Sequence, residues 1–358
     1  MNDRLRSLSE SFWLRLVLVL AALGAVVAAF WWRGPEWNAV SDAFQAVRWE
    51  WVAAAIGLNL LSVIARSVAW RTVIGQAMPP PHPRFGLVFS AFSVGLMANA
   101  VLPGRVGELA RVAVLRRHMP GRAASWATLV GSVFAHRVFD LVPMLMLVVA
   151  VLTTADLPHW ALTSLVAFLA GGAAVFVFAL LSARHHHRTR LDGLGTVRRL
   201  VTMARQGLGV MRRPLPAAVA IAFQCLGWLC QLLAVWAAMR AFDINLDLAA
   251  AALVLVLMNV ATIIPLWPGN VGLVQAAVAL PLVRYGVAYA NGFAFGIGLQ
   301  VIEASVGVGF GLIFLGHEGL SFAALRRMPG AVQADLPNER GGERRPAEVE
   351  RARARVSG

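Results

Sequence analysis

The sequence predicts an all-α polytopic membrane protein with about six full spans, two Pro-Gly-broken helix hairpins and an inverted-topology repeat. Three observations predict it. Hydrophobic residues make up 59% of the 358 residues and charged ones only 14%, with a mean hydropathy of +0.68, values foreign to soluble globular domains. Apolar stretches of bilayer-crossing length, roughly 20 residues, recur along the chain. Two further apolar regions are interrupted by Pro-Gly turns of almost the same sequence.

In chain order, the first apolar stretch, 12–32, follows Arg4 and Arg6 and lacks a small-residue cleavage site, so it reads as a retained span. The second covers 50–74, and Trp31, Trp32, Trp37, Trp49 and Trp51 cluster at the ends of these two like an interfacial belt. The region 84–116 is broken at Pro103-Gly104, and full stretches follow at 123–154 and 158–182. Segment 183–213 holds eight arginines, the run His185–His187 and one acid, Asp192. That composition suits a basic face on anionic lipid heads better than a metal site. Stretch 214–241 carries Cys225 and Cys230, which point apart on a helix and read as packing residues. Region 248–284 is broken at Pro268-Gly269, stretch 286–315 closes the apolar part, and 316–358 reads as a disordered tail. The expected organisation is therefore a cytoplasmic N-terminus (1–11), one membrane domain (12–315) and a cytoplasmic tail (316–358).

Arginine placement sets the expected topology. All 32 basic side chains are Arg, and the formal net charge is +14. Segment 183–213, Arg4 and Arg6, and Arg326 and Arg327 belong inside by the positive-inside rule, while the arginine-free connections bearing Asp156, Asp243 and Asp247 belong outside. Both termini are then cytoplasmic, and a bacterial inner membrane is the expected location. Region 84–116 must enter and leave by the inner face, and region 248–284 by the outer face, each as a re-entrant hairpin or a pair of short spans. The trios 50–154 and 214–315 thus form repeats of opposite orientation, and Pro103-Gly104-Arg105-Val106-Gly107 matches Pro268-Gly269-Asn270-Val271-Gly272 in all but one residue. Alternatively, Pro-Gly merely marks loops between packed spans.

A Pro-Gly break has a physical consequence. Proline ends the incoming helix, glycine permits the turn, and the next helix opens with unpaired N–H groups at its positive dipole end. Inside a membrane such backbone is tolerated only when buried in protein or lining a wet cavity, where it attracts anions. Arg105, Glu108 and Arg111 recur at spacings of three behind the first turn, as a head-group site or as an ion network pinning the hairpin. His136, Arg137 and Asp140 lie deep in stretch 123–154, and Arg66 and Glu303 lie within other spans. Charges at that depth face a bundle interior or a cavity and need partners. For Glu303 the candidates are Arg66, Arg105 and Arg137. Asn59, Asn99, Asn259, Asn270, Gln275 and Gln300 could line the same cavity or act as interhelical glue. In the second turn Pro268, Gly269, Asn270, Gly272 and Gln275 keep the backbone device without the charge.

No P-loop, GxSxG, HExxH or CxxC pattern occurs, so neither an enzyme, a cofactor nor a metal site is expected. Three segments, NAVLPGRVGELAR at 99–111, HRVFD at 136–140 and PLWPGNVGLVQAAVALP at 265–281, resemble the flippase-like integral membrane family. That family is related to the membrane half of lysylphosphatidylglycerol synthases. The likeness covers roughly 10–320, and the first motif is the most specific. The family often carries Glu where this chain has His136 and Gln275. The resemblance implies membrane helices with re-entrant elements and the movement of a phospholipid or polyprenyl-linked lipid between leaflets. It places Pro103, Gly104, Arg105, Gly107, Glu108 and Arg111 at the head-group site, with Arg137 and Asp140 beside them. The aminoacyl-transferring domain that follows the membrane part in the synthases is not expected here, because only a short tail remains. The expected partners are anionic phospholipids or polyprenyl phosphates, not nucleic acid. Two other readings stay open: a non-transporting subunit docking a membrane glycosyl- or aminoacyl-transferase, and a small-solute secondary transporter.

Overall fold

The computed structural model describes residues 34–78, 80–102, 106–119, 126–155, 159–184, 213–263 and 268–317. The expected first span 12–32, the turn residues Pro103, Gly104 and Arg105, most of segment 183–213 with His185–His187, and the tail beyond 317 lie outside the described residues. Among the described residues all regular structure is helical: α1 (Trp37–Gln45), α2 (Trp49–Ala77), α3 (Phe85–Val101), α4 (Gly107–His118), α5 (Trp126–Thr154), α6 (His159–Arg184), α7 (Pro214–Ala241), α8 (Leu248–Ala261), a 3-10 turn at Pro268–Asn270, α9 (Leu273–Val283) and α10 (Tyr289–His317). Four of these, α2, α5, α7 and α10, are long and apolar enough to cross a membrane. This is a multi-pass, all-α membrane protein. The hairpin helices are shorter: α4 has 12 residues and α9 has 11, below the roughly 20 that one bilayer crossing needs.

The four long helices form because their sequences are largely apolar on every side and their backbone polar groups are satisfied within the helix. Asp247 caps the start of α8 by accepting the Ala250 N–H at 3.0 Å, α3 ends at Val101, two residues before Pro103, and α8 ends at Ala261. One element was hidden in the sequence. The amphipathic α1, nine residues long, occupies what composition suggested was a connection, and it lies on α10 with Trp37 edge-on to Phe293 at 6.2 Å.

Packing relates the two trios. The most extensive contact joins their first helices, α2 and α7, which run in opposite directions: Arg48, before α2, donates to the carbonyl of Ala241 at the end of α7, while Val73 clusters with Ala220 near the other ends. Several other contacts come in matching pairs. Helix α3 packs on α10 as α8 packs on α5, and α4 on α5 as α9 on α10.

Helix α10 makes these contacts through two small-xxx-small faces, Gly292/Gly296 and Gly307/Gly311. A Cβ on Gly296 would lie 3.1 Å from the Cα of Gln275 on α9, and one on Gly311 would lie 2.9 Å from the carbonyl of Ser93 on α3. Gly307 has more room, its nearest neighbour being Leu96 at 3.4 Å. Gly311→Ala is therefore expected to cost about 1–2 kcal/mol, and Gly307→Ala within about 0.5 kcal/mol of nothing, in thermal unfolding of the detergent-solubilised protein.

Candidate functional site

The two hairpin tips border one cavity of about 960 Å³. From the first side come Leu102 and Glu108, from the second Gly269 and Asn270, and between them stand Arg66, Arg137, Asp140 and Glu303. Apolar side chains such as Phe92, Val133 and Phe168 complete the walls.

At the first tip, α3 and α4 approach so closely that their backbones almost touch. A Cβ on Gly95 would lie 2.9 Å from the carbonyl of Gly107, and one on Gly107 would meet Asn99 at 2.6 Å. Asn99 reaches over from α3 and accepts the Gly107 N–H at 2.8 Å. At the opening of α4, expected to offer bare N–H groups to an anion, the Gly107 N–H is thus already served by an amide oxygen, and Glu108 places a negative charge in the first turn. The second tip uses the same device with other residues. Gln275 accepts the Gly272 N–H at 2.5 Å and donates to Gln300 at 2.5 Å, and Gln300 in turn donates to the carbonyl of Gly269. Asn270 donates to the carbonyl of Ala261 at 2.9 Å, tying the turn to the end of α8. Gly269, Asn270 and Gly272 have φ of 68°, 45° and 91°, the left-handed region that favours Gly and Asn. Gln275 holds this turn and does not line the cavity.

The charges form one connected chain. Glu108 is ion-paired with both Arg111 and Arg137. Arg137 also donates to Asp140 at 3.0 Å, and the second oxygen of Asp140 accepts from Gln224 at 2.8 Å and from Trp228 at 2.9 Å. The Arg66 guanidinium lies 4.9 Å from the centre of the Trp228 ring. It donates to Gln231 at 2.6 Å, and Gln231 donates to Glu303 at 3.0 Å. Of the two candidate partners for Glu303 among the described residues, Arg66 and Arg137, the geometry links it to Arg66 through that amide, and Arg105 lies outside the described residues. Among the described residues Glu303 has no direct ion pair. Among the described residues of this chain, three arginines (Arg66, Arg111, Arg137) stand against three acids (Glu108, Asp140, Glu303), as suits a low-dielectric interior.

Within this chain the residues differ in access. Arg137 is half exposed, into the cavity. Arg111 is 3% exposed and does not line it; its guanidinium lies 4.8 Å from the centre of the Trp70 ring and 5.5 Å from that of Phe92. Arg111 therefore holds Glu108 from behind instead of facing a head group. His136 also lies behind the wall, edge-on to Phe92 at 5.9 Å, and its Nδ1 has no hydrogen-bond partner among the described residues.

Sequence reasoning missed the α7 contribution. Gln224, Trp228 and Gln231 recur at spacings of four and three, a polar and aromatic stripe on an otherwise apolar helix, and that stripe is the signal that could have found them. It also missed the two aromatic rings, Trp70 and Phe92, beside Arg111.

A family model described as the lysylphosphatidylglycerol synthase TM region matches residues 12–311. Comparison with the curated proteins and with the solved structures gives no match. The matched region takes in both hairpins and every charge of the cavity chain, and on that match the chain belongs to the lysylphosphatidylglycerol synthase TM region family.

Proposed function

We propose that this protein moves a phospholipid or polyprenyl-linked lipid between leaflets of a bacterial inner membrane, without chemistry on the lipid. One observation carries the reading: a cavity at the meeting of two broken helices, in an apolar bundle, lined by a charge chain that includes a half-exposed arginine. A structural ion network alone would gain nothing from leaving Arg137 open to a space of that size. Arg137, already holding Glu108 and Asp140, supplies the cationic edge for a phosphate, and Arg105, three positions before Glu108 in the sequence, is proposed as a second. Tails stay in lipid while the head group crosses through the cavity.

The hairpins are read as re-entrant elements entering from opposite faces, since α4 and α9 are too short to cross alone and the two trios run oppositely. With both termini inside, rocking one trio against the other exposes the cavity to each face in turn.

The test is leaflet exchange of fluorescent phospholipids and of a polyprenyl phosphate in proteoliposomes. The expected result is exchange above that of protein-free vesicles, slowed at least about tenfold in Arg137→Gln. Wild-type vesicles that exchange no faster than empty ones would sink the translocase reading. Full activity in a folded Arg137→Gln would remove Arg137 from the head-group path.

A further inference from the structure

The cavity holds more hydrogen-bonding capacity than its charges use. Asn59, Ser62 and Arg66 recur at spacings of three and four on α2 and all line it. Asn59 is 7% exposed, and among the described residues its amide has no hydrogen-bond partner. The Ser62 hydroxyl, 2% exposed as a residue, has none either. Across the cavity, Glu303 commits Oε1 to Gln231, and Asn259 commits Nδ2 to the carbonyl of Leu255 at 2.8 Å. Among the described residues Glu303 Oε2 and Asn259 Oδ1 accept nothing.

The uncommitted atoms have a definite chemistry. Asn59 and Ser62 can each donate and accept, and Asn259 and Glu303 can accept. A phosphate, which accepts, would leave Asn259 and Glu303 unused, and an ammonium, which donates, would leave the Asn59 N–H groups unserved. Hydroxyl groups do both, and an amide beside a carboxylate suits two of them on adjacent carbons. A buried, unpartnered amide is costly unless a ligand or water satisfies it. Building on the lipid-transport reading, we infer that Asn59, Ser62, Asn259 and Glu303 form a second subsite that takes the hydroxyl groups of a glycerol or sugar head, while Arg137 takes the phosphate.

The experiment is equilibrium binding to the purified full chain in detergent, read by tryptophan fluorescence, since Trp228 lines the cavity. Two matched pairs of short ligands are compared: dihexanoyl phosphatidylglycerol against dihexanoyl phosphatidic acid, and a ten-carbon prenyl phosphate with and without one hexose. In at least one pair the hydroxylated member should bind at least about tenfold tighter, and which pair responds tells glycerol from sugar. Asn59→Leu should bring that ratio close to one while changing affinity for the unhydroxylated member less than about twofold, which also reports that the variant is folded. The inference is overturned by equal affinities within both pairs, by a ratio that survives Asn59→Leu, or by tighter binding of dihexanoyl phosphatidylethanolamine, which would make Glu303 an ammonium acceptor. Leaflet exchange without any head-group preference would remove this subsite and leave translocation standing. Preference without exchange would do the reverse.

Discussion

Asp140→Leu is expected to destabilise the protein by about 3–5 kcal/mol and to abolish leaflet exchange. The carboxylate is 7% exposed and satisfies three donors on two helices, from Arg137 at 3.0 Å, Gln224 at 2.8 Å and Trp228 at 2.9 Å. Leucine is close in size and fills the space, so the loss is electrostatic: two buried N–H donors lose their acceptor and Arg137 keeps only Glu108. Asp140→Asn keeps an acceptor oxygen and should cost about 1–2 kcal/mol. Pairing it with Arg137→Gln restores charge balance, and the double variant should be more stable than the sum of its parts by about 1–3 kcal/mol. Thermal unfolding in detergent, followed by Trp228 emission, measures each value. An Asp140→Leu protein as stable as wild type would mean that the charge chain does not hold α5 to α7.

The second large effect belongs to a glycine. Gly107→Val should cost about 2–4 kcal/mol, of which about 1–3 comes from forcing α3 and α4 apart and about 1 from losing the Asn99 cap. The new Cβ would run into the carbonyl of Gly95 as well as Asn99, and a backbone carbonyl cannot swing aside. Its counterpart Gly272 is needed for another reason. A Cβ there meets nothing within 4 Å, but the backbone sits at φ 91°, so Gly272→Ala should cost about 1–2 kcal/mol through strain alone. Equal losses at the two positions would contradict this division.

That contrast shows how far the sequence could be read. The two pentapeptides announce the same turn, and hydropathy placed α2, α5, α7 and α10 within a few residues of their observed ends. The Arg137–Asp140 pair was also legible, because both residues lie on one helix three positions apart. What stayed illegible is whatever joins distant segments. Arg66 reaches Gln231 across 165 positions and Gln231 reaches Glu303 across 72, and no local period encodes such pairings. Arg111 looked like a ligand contact for a related reason. Its spacing from Glu108 puts it on the right face of α4, but only the fold brings Trp70 and Phe92 across to cover it.

The balance of charge along the cavity has a last consequence, for the response to membrane potential. Moving one elementary charge through 100 mV is worth about 2.3 kcal/mol, the energy that lets voltage sensors gate. Three positive and three negative side chains bound into one network carry no net charge when they shift together. On the transport reading proposed above, this network would change face without electrical work, so that of network and cargo only the cargo's charge would feel the field. Whatever rectification the membrane potential imposes would then be decided by the head group, so the same machine would run downhill for an anionic lipid in one direction and indifferently for a neutral one in both.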